Sequence, residues 1–499
     1  MEASFCLRRQ SITEFSVDAF VVFFGVWMLV HELAYFSGLS FHQNWLLALV
    51  CSCLAVVSFF YLVRTRAGHY PARNDAWLLW LALILGVVFT VCLYRPDADD
   101  GQYLGLAVLS LDFPDSPIKS LPTVSSKAYA ITCYDFFRAA VSYFSQLPVL
   151  DVFYLYIPAL VSMCVLVFQY RLYKLLGVKN IALAFIVFFV VMLAWGDVHR
   201  SPANLGFVKF FQGKGPLEWL TIPAILFYWL RFHLTQEKVY LTLILCAALG
   251  GIGFSATGIP VAFLLMLMMS VSSLLLNKEL LRDRRLILFV GTCVSAMVVA
   301  ALVLIFVFHH KSTGIHTSQG TRALNSFTDY LVNPEMIRFV LGNSLRAGLA
   351  LCSLVLMPFI LPGSAYRKPM STYVAACILL LVFPFTSAIL GGYVNETLAW
   401  RWLFVIPFVL SIVVLVDRVY SRVHLYHKEL SFVLPVLILC SFYWASYPMI
   451  SSYNHTTFER PKPKVVDSGS IPLLSYGYPP RLAHTEGRYL VSPVTGKKL

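Results

Sequence analysis

Apolar residues along this chain gather into runs of roughly twenty, the length at which a single helix crosses a bilayer. The runs lie near 15–37, 43–63, 76–94, 150–175, 179–195, 217–233, 239–254, 259–276, 286–308, 345–362, 372–390, 400–416 and 431–448. They predict about thirteen transmembrane helices. If the N-terminus, with Arg8 and Arg9, is cytoplasmic, every second connection is basic: Arg64/Arg66/Arg73, Arg171/Lys174/Lys179, Arg231/Lys238, Lys278/Arg282/Arg284/Arg285, Arg367/Lys368 and Arg418/Arg422/Lys428. That alternation is the positive-inside pattern of cytoplasmic loops. The longer and chemically richer connections then face outward: 95–149, 196–216, Gly250–Gly258, 309–344 and Gly391–Ala399. The expectation is an all-α, polytopic helical bundle over residues 1–448, working on its non-cytoplasmic face. The tail 449–499 is polar, Pro-rich and basic, with too few apolar residues for a core of its own. It is expected to pack on the external face or to stay partly disordered.

Within 95–149 the period changes. Tyr103, Leu104, Ala107, Val108 and Leu111 repeat at helical spacing, and so do Phe136, Phe137, Ala140, Val141 and Phe144 beside Asp135 and Arg138. Pro114, Pro117 and Pro122 stand between the two stretches and forbid one continuous helix. Two short helices lying at the membrane interface are predicted, joined by a loop. The small-residue stretch Gly250–Gly258 either packs two helices tightly or lets backbone approach a ligand, with packing the better fit to membrane helices.

Composition narrows the class. The chain has 499 residues, 59% hydrophobic and 13% charged, too little polar surface for a soluble domain of this size. Its net charge of +13 is spread between the apolar runs, which suits orientation and lipid phosphates and gives no clustered surface for nucleic acid. Its 11 cysteines form no CxxC pairs and have no histidine at ligand spacing, so neither a zinc site nor a disulfide scaffold is indicated. His309, His310 and His316 lack the helical spacing of metal ligands. Met1–Phe20 is mixed and the first run continues to about Tyr35, so that run reads as a retained span rather than a cleaved signal. Asn395-Glu-Thr and Asn454-His-Thr match the N-glycosylation tripeptide on the predicted outside, a short pattern that also arises by chance.

The candidate chemistry centres on Arg95-Pro-Asp-Ala-Asp-Asp-Gly-Gln-Tyr103. Asp97, Asp99 and Asp100 stand at the membrane surface just after a span, where charge is costly unless it is used. Asp99 and Asp100 opening the helix that contains Tyr103 would be kept ionised by its N-terminal dipole, ready to accept a proton or hold a cation. Cations stand in the other external segments: Arg200, Lys214 between Gly213 and Gly215, and Arg401 in Asn395-Glu-Thr-Leu-Ala-Trp-Arg-Trp402. The two glycines let backbone approach an anion, although the P-loop spacing is absent. Arg401 reads either as a flank residue reaching the headgroups or as a phosphate ligand facing a cavity, with Trp400 and Trp402 as belt aromatics. Tyr103, His199, Gln212 and Glu396 complete the candidate cavity residues.

A carboxylate cluster after an early span, an external loop of two short helices and about a dozen spans together resemble the GT-C superfamily of membrane glycosyltransferases. The likeness covers roughly residues 76–416 and is to a distant bacterial-type branch or to a member with an additional N-terminal hairpin, residues 15–63. One departure is that the cluster here follows the third apolar run, whereas in many members it follows the first. The resemblance implies a polyprenyl-phosphate-linked sugar donor, a glycan, lipid or protein acceptor, and residence in a bacterial inner (plasma) membrane. Asp97, Asp99 and Asp100 match the position of the family's catalytic base, which in some branches belongs to a divalent-cation site. Inverting transfer needs a carboxylate to take the acceptor proton and cations to stabilise the leaving phosphate. Asp99 or Asp100 would be the base, and Lys214, Arg401 and Arg200 would hold the phosphate. Those cations can replace a metal, so no cofactor is required. A transporter or flippase for lipid-linked sugars is the alternative, since an Asp cluster can also bind a coupling ion; an accessory subunit of an envelope complex is a third reading.

Overall fold

The computed structural model describes residues 12–64, 76–95, 100–118, 132–276, 291, 334–342, 344–361, 366–382, 396–428, 431, 433–444, 447–463, 484–486 and 489–491. The chain is predominantly helical, and helices occupy the described part of each apolar run; of 286–308 only Gly291 is described. Among the described residues four helices, Phe15–Ser37, Phe41–Tyr61, Val149–Leu175 and Trp400–Tyr426, are long and apolar enough to cross a membrane, and seven further apolar helices are 10–17 residues long. Leu54, Val57, Tyr61, Trp77, Trp80 and Ile84 point outward from the second and third helices, a surface suited to hydrocarbon rather than water.

The first helix, α1 (Ile12–Ser37), ends at Gly38, whose φ of +71° suits a residue without Cβ. It packs against α2 (Phe41–Arg64) and against α9 (Lys238–Phe254). At the α1–α9 crossing a Cβ on Gly25 would lie 2.4 Å from the Cys246 carbonyl oxygen, so only glycine permits this approach. Helix α3 (Ala76–Cys92) runs directly into strand β1 (Leu93–Tyr94). The predicted pair of short helices is present as α4 (Asp100–Asp112) and α5 (Tyr134–Ser145), packed on each other.

Helix α6 (Val149–Leu175) contains a π turn at Val152–Tyr156, and a second π turn, Leu217–Thr221, leads into α8 (Ile222–Thr235). Each is followed within two residues by a proline, Pro158 or Pro223, which has no N–H for the regular helical ladder. Helix α7 (Ile181–Ala194) starts on Asn180, whose side chain accepts from the Leu183 amide at 3.0 Å. After α10 (Gly258–Leu276) the described chain resumes at α11 (Pro334–Leu341), α12 (Leu345–Ile360) and α13 (Arg367–Val382). The run predicted over 400–416 begins as the 3-10 helix Glu396–Val405, is interrupted before Pro407, and continues as α14 (Phe408–Tyr426). Helix α15 (Val433–Trp444) ends the bundle, and strand β2 (Thr457–Phe458) returns to pair antiparallel with β1.

Two sequence expectations change. Helix α5 does not rest on an interface with its polar residues to water: Asp135 and Arg138 are both buried and form an ion pair. Arg138 also donates to the Phe211 carbonyl at 2.5 Å, and its guanidinium lies 3.3 Å from the Phe153 ring centroid. Neutralised and capped in this way, the charge can enter the core, and α5 packs its aromatics on α1 and α9 through Phe137–Phe24 and Tyr134–Phe254. Burial pushes the Asp135 carboxyl up to about 6, with Arg138 drawing it back. The second change concerns Trp400 and Trp402, which are buried and form no exposed belt.

The tail divides. Residues 447–463 pack onto the bundle: Met449 N–H donates to the Leu193 carbonyl at 3.0 Å, and Gly196 N–H donates to the Tyr447 carbonyl at 3.2 Å. Strands β3 (His484–Glu486) and β4 (Tyr489–Val491) form a hairpin, and the rest of the tail lies outside the described residues.

Candidate functional site

The segment after α7 is held at several points by groups distant in sequence. Trp195 is fully buried and donates through Nε1 to the Leu341 carbonyl at 2.9 Å. Asp197 meets Arg346 Nη1 at 2.5 Å and accepts from Ser344 Oγ. Arg346 in turn donates to the carbonyls of Phe442, Tyr443 and Tyr447, so one guanidinium ties α12 to the C-terminal region. Between these anchors Ser201 Oγ accepts from the Val198 amide at 2.8 Å, and the resulting turn carries His199 and Arg200.

His199 does not stand alone. Arg95, the last described residue before the acidic stretch, donates from Nη2 to His199 Nδ1 at 2.8 Å and from Nη1 to Asn204 Oδ1 at 2.5 Å. Arginine can only donate, so Nδ1 is the acceptor, which favours the ring proton on Nε2. Nε2 lies 3.4 Å from the Nζ of Lys209, a buried lysine on the 3-10 turn Phe207–Lys209.

Arg200 continues the group in the other direction. Its guanidinium sits 5.2 Å from the ring centroid of Trp400, and that of Arg401 sits 5.4 Å from the same centroid. Burial, and then the neighbouring charge of Arg401, lower the Arg200 pKa from its ordinary value. Arg401 donates to Thr257 Oγ1 at 2.7 Å, and Thr257 Oγ1 is 2.7 Å from Ser255 Oγ. The Gly250–Gly258 stretch packs tightly, the reading that fits membrane helices better. Gly253 packs under Cys133, with only 2.8 Å from its would-be Cβ to Sγ, while the turn at its end presents Thr257 to Arg401.

Lys214 belongs to the same neighbourhood through the backbone. A Cβ on Gly213 would lie 1.6 Å from the Phe254 carbonyl oxygen, so the Gly213-Lys214-Gly215 segment is seated on the end of α9, next to Ser255. Lys214 is half-buried and opens the short turn Lys214–Pro216. Gln212 is fully buried, its backbone N–H donating to the Lys209 carbonyl at 2.9 Å. Tyr103 is half-buried on the first turn of α4. Asp100 is the first residue of α4 and Glu396 the first of the 3-10 helix that carries Arg401. Asp97 and Asp99 lie outside the described residues, as do His309, His310, His316 and Asn395.

The structure thus brings Arg200 and Arg401 to one indole, with His199 next to Arg200 in sequence, and seats the Lys214 segment against Phe254, three residues before Thr257. It adds Arg95, Asn204, Lys209, Thr257 and Trp400, which the sequence did not single out for this role. Arg95 had one signal, its place at the head of the acidic stretch. Asn204 and Thr257 had none, because their partners are more than a hundred residues away in sequence. Asn454 is no glycosylation acceptor in the folded chain: it is 2% exposed and its Nδ2 donates to the carbonyls of Gly196 at 2.8 Å and Pro448 at 2.9 Å.

A mainly apolar cavity of about 70 Å³, lined also by Gln169 and Glu218, lies between α6, α8 and α14. Its lining includes Pro202, two residues after Arg200, and Leu403, two residues after Arg401, and it continues along Trp219, Ile222 and Leu410. Among the described residues no group of three or more His, Cys, Asp or Glu side chains could hold a metal ion. No family model, curated protein or solved structure matches this chain.

Proposed function

We propose that this protein is a polytopic membrane glycosyltransferase of GT-C type, with about thirteen spans, that moves a sugar from a polyprenyl-phosphate-linked donor to a glycan, lipid or protein acceptor outside the cytoplasm. The observation that carries the reading is the seating of Arg200 and Arg401 on one indole, Trp400, with the His199–Arg95 pair beside them. Planar guanidinium groups match phosphate oxygens, and two of them on one ring can address a single phosphate. His199 Nε2 lies 3.4 Å from Lys209 Nζ, so a further cationic side chain is close to the Arg95–His199 pair.

The cavity that starts two residues from each arginine supplies apolar surface for the first isoprene units of such a lipid. Asp97, Asp99 and Asp100 follow Arg95 within five residues, and Arg95 is bonded to His199, the neighbour of Arg200 in sequence. In the proposed transfer Asp99 or Asp100 takes the proton of the acceptor hydroxyl as that oxygen bonds to the anomeric carbon. The bond from that carbon to the phosphate oxygen breaks, and the cations hold the departing lipid phosphate. Protein cations carry the charge, so no metal is needed.

The test is transfer of labelled sugar from undecaprenyl-phosphate-linked donors by purified protein in nanodiscs, across a panel of envelope acceptors. Transfer that is lost in Asp99→Asn or Asp100→Asn supports the reading. Binding and transbilayer movement of the donor without transfer, unaffected by those variants, would replace it with a flippase.

A further inference from the structure

Asn454, in the C-terminal segment, makes none of the contacts expected of a surface tail. Its carboxamide is buried, and a Cβ on Gly196 would come within 2.6 Å of its Nδ2, so the chain at 196 must be glycine to admit it. Both Nδ2 hydrogens are used by backbone carbonyls, those of Gly196 at 2.8 Å and Pro448 at 2.9 Å. Carbonyls accept only, so the orientation of this carboxamide is fixed and its Oδ1 must face Asn204. Asn204 donates to it from Nδ2 at 3.1 Å, and donates from the same nitrogen to the Val198 carbonyl at 2.8 Å. The Asn204 carboxamide is thereby oriented as well, and its Oδ1 is left to accept from Arg95 Nη1 at 2.5 Å. Turned over, Asn204 would set an amide donor against a guanidinium donor. Arg95, so held, donates its other arm to His199 Nδ1 at 2.8 Å, a shorter contact than the 3.4 Å from Lys209 Nζ to Nε2, and so favours the ring proton on Nε2.

The same segment grips the chain on the other side of Arg95. Strand Thr457–Phe458 pairs with Leu93–Tyr94, Glu459 N–H donates to the Cys92 carbonyl at 2.8 Å, and Lys462 Nζ lies 4.5 Å from the Tyr94 ring centroid.

We propose that Asn454 is a positioning residue of the site: acting through Asn204, it sets the direction of the hydrogen-bond relay Asn454–Asn204–Arg95–His199, and so fixes both the His199 tautomer and the entry of the acidic stretch that begins after Arg95. The part of this that concerns donor binding rests on the function proposed above; the relay itself does not.

Full-length protein in nanodiscs, with histidine rings labelled with 15N, reads the relay directly. Wild type is expected to show His199 with an unprotonated, hydrogen-bonded Nδ1 and a protonated Nε2. In Asn454→Ala the ring signals should shift toward a tautomer mixture, and the same shift should appear in Asn204→Ala. Binding of undecaprenyl phosphate, the probe used, should weaken by about tenfold in each single variant, the loss of roughly one hydrogen bond to a charged group. The double variant should be no weaker than Asn204→Ala alone, because the two residues act in series. Asn454 acting only as a fastener of the tail would lower the melting temperature and leave the ring signals in place, and that result overturns the proposal. So do additive losses in the double variant. Should Asn454→Ala not fold, Asn204→Ala keeps the tail bonded to Gly196 and Pro448, and an unshifted His199 ring there is equally fatal. If wild type shows the expected ring signals but binds no undecaprenyl phosphate, the glycosyltransferase reading fails and the relay stands.

Discussion

At the residue scale, chemistry and binding are separable. Asp99 and Asp100 are proposed for proton transfer, and Arg200 and Arg401 for phosphate. Asp99→Asn and Asp100→Asn should leave donor binding near wild type, while one of them cuts turnover by about two to four orders of magnitude. Asp97→Asn, directly after Pro96, should have a smaller effect. Single-turnover transfer with each variant at equal folded amounts distinguishes them. Arg401→Ala should act the other way, weakening undecaprenyl phosphate binding by about ten- to a hundredfold, the range for losing a charge-assisted bond. Trp400→Ala should approach the same loss, because it removes the ring on which both guanidinium groups lie. Retained affinity in both would take these arginines out of the phosphate site.

At the scale of elements, α5 shows how a charged helix can be a core helix. Arg138 is fully buried, with Asp135, a backbone carbonyl and two aromatic faces around it. Replacing it with methionine leaves the Asp135 carboxyl and the Phe211 carbonyl without their donor. A loss of about 3–5 kcal/mol is expected, read as a fall in detergent-resistant melting temperature. Asp135→Asn combined with Arg138→Met should recover part of that loss, since the uncompensated charge is gone. Gly213→Ala tests the seat of the Lys214 segment. The added carbon would collide with the Phe254 carbonyl, so the 213–215 segment must move away from α9, and donor binding should fall more than stability.

At the scale of the whole molecule, the proposed orientation is open to labelling. With the N-terminus inside, single cysteines introduced at 115–125 or 312–320 should react with an impermeant thiol reagent in intact cells, and those at 280–284 should not. Reaction at 280–284 would reverse the orientation and move the proposed site to the cytoplasmic face. The C-terminal segment 447–463 also belongs to this scale. It meets the end of α7, strand β1 and the turn at Val198–Asn204, so one short segment links regions more than 240 residues upstream.

The apolar runs of roughly twenty residues and the prolines between them determined where the helices lie, because burial of backbone in hydrocarbon leaves little choice but helix. They also located α4 and α5 to within a few residues, and marked Arg200, Lys214 and Arg401 as charges whose position at span ends needs a reason. Sequence alone could not say which of these charges meet. Coulombic attraction and hydrogen bonding act over a few ångströms, and His199, Thr257 and Gly196, which meet Arg95, Arg401 and Asn454, lie 104–258 residues from them along the chain. Nor could periodicity tell an interfacial helix from a buried one in α5, since the same apolar stripe serves both and only the ion pair between Asp135 and Arg138 lets the polar side enter the core. Tertiary packing likewise turned a glycosylation-like Asn454 into a buried hydrogen-bonding residue and two apparent belt tryptophans into buried ones. Each outcome depended on what the fold placed opposite the side chain, which no local pattern carries.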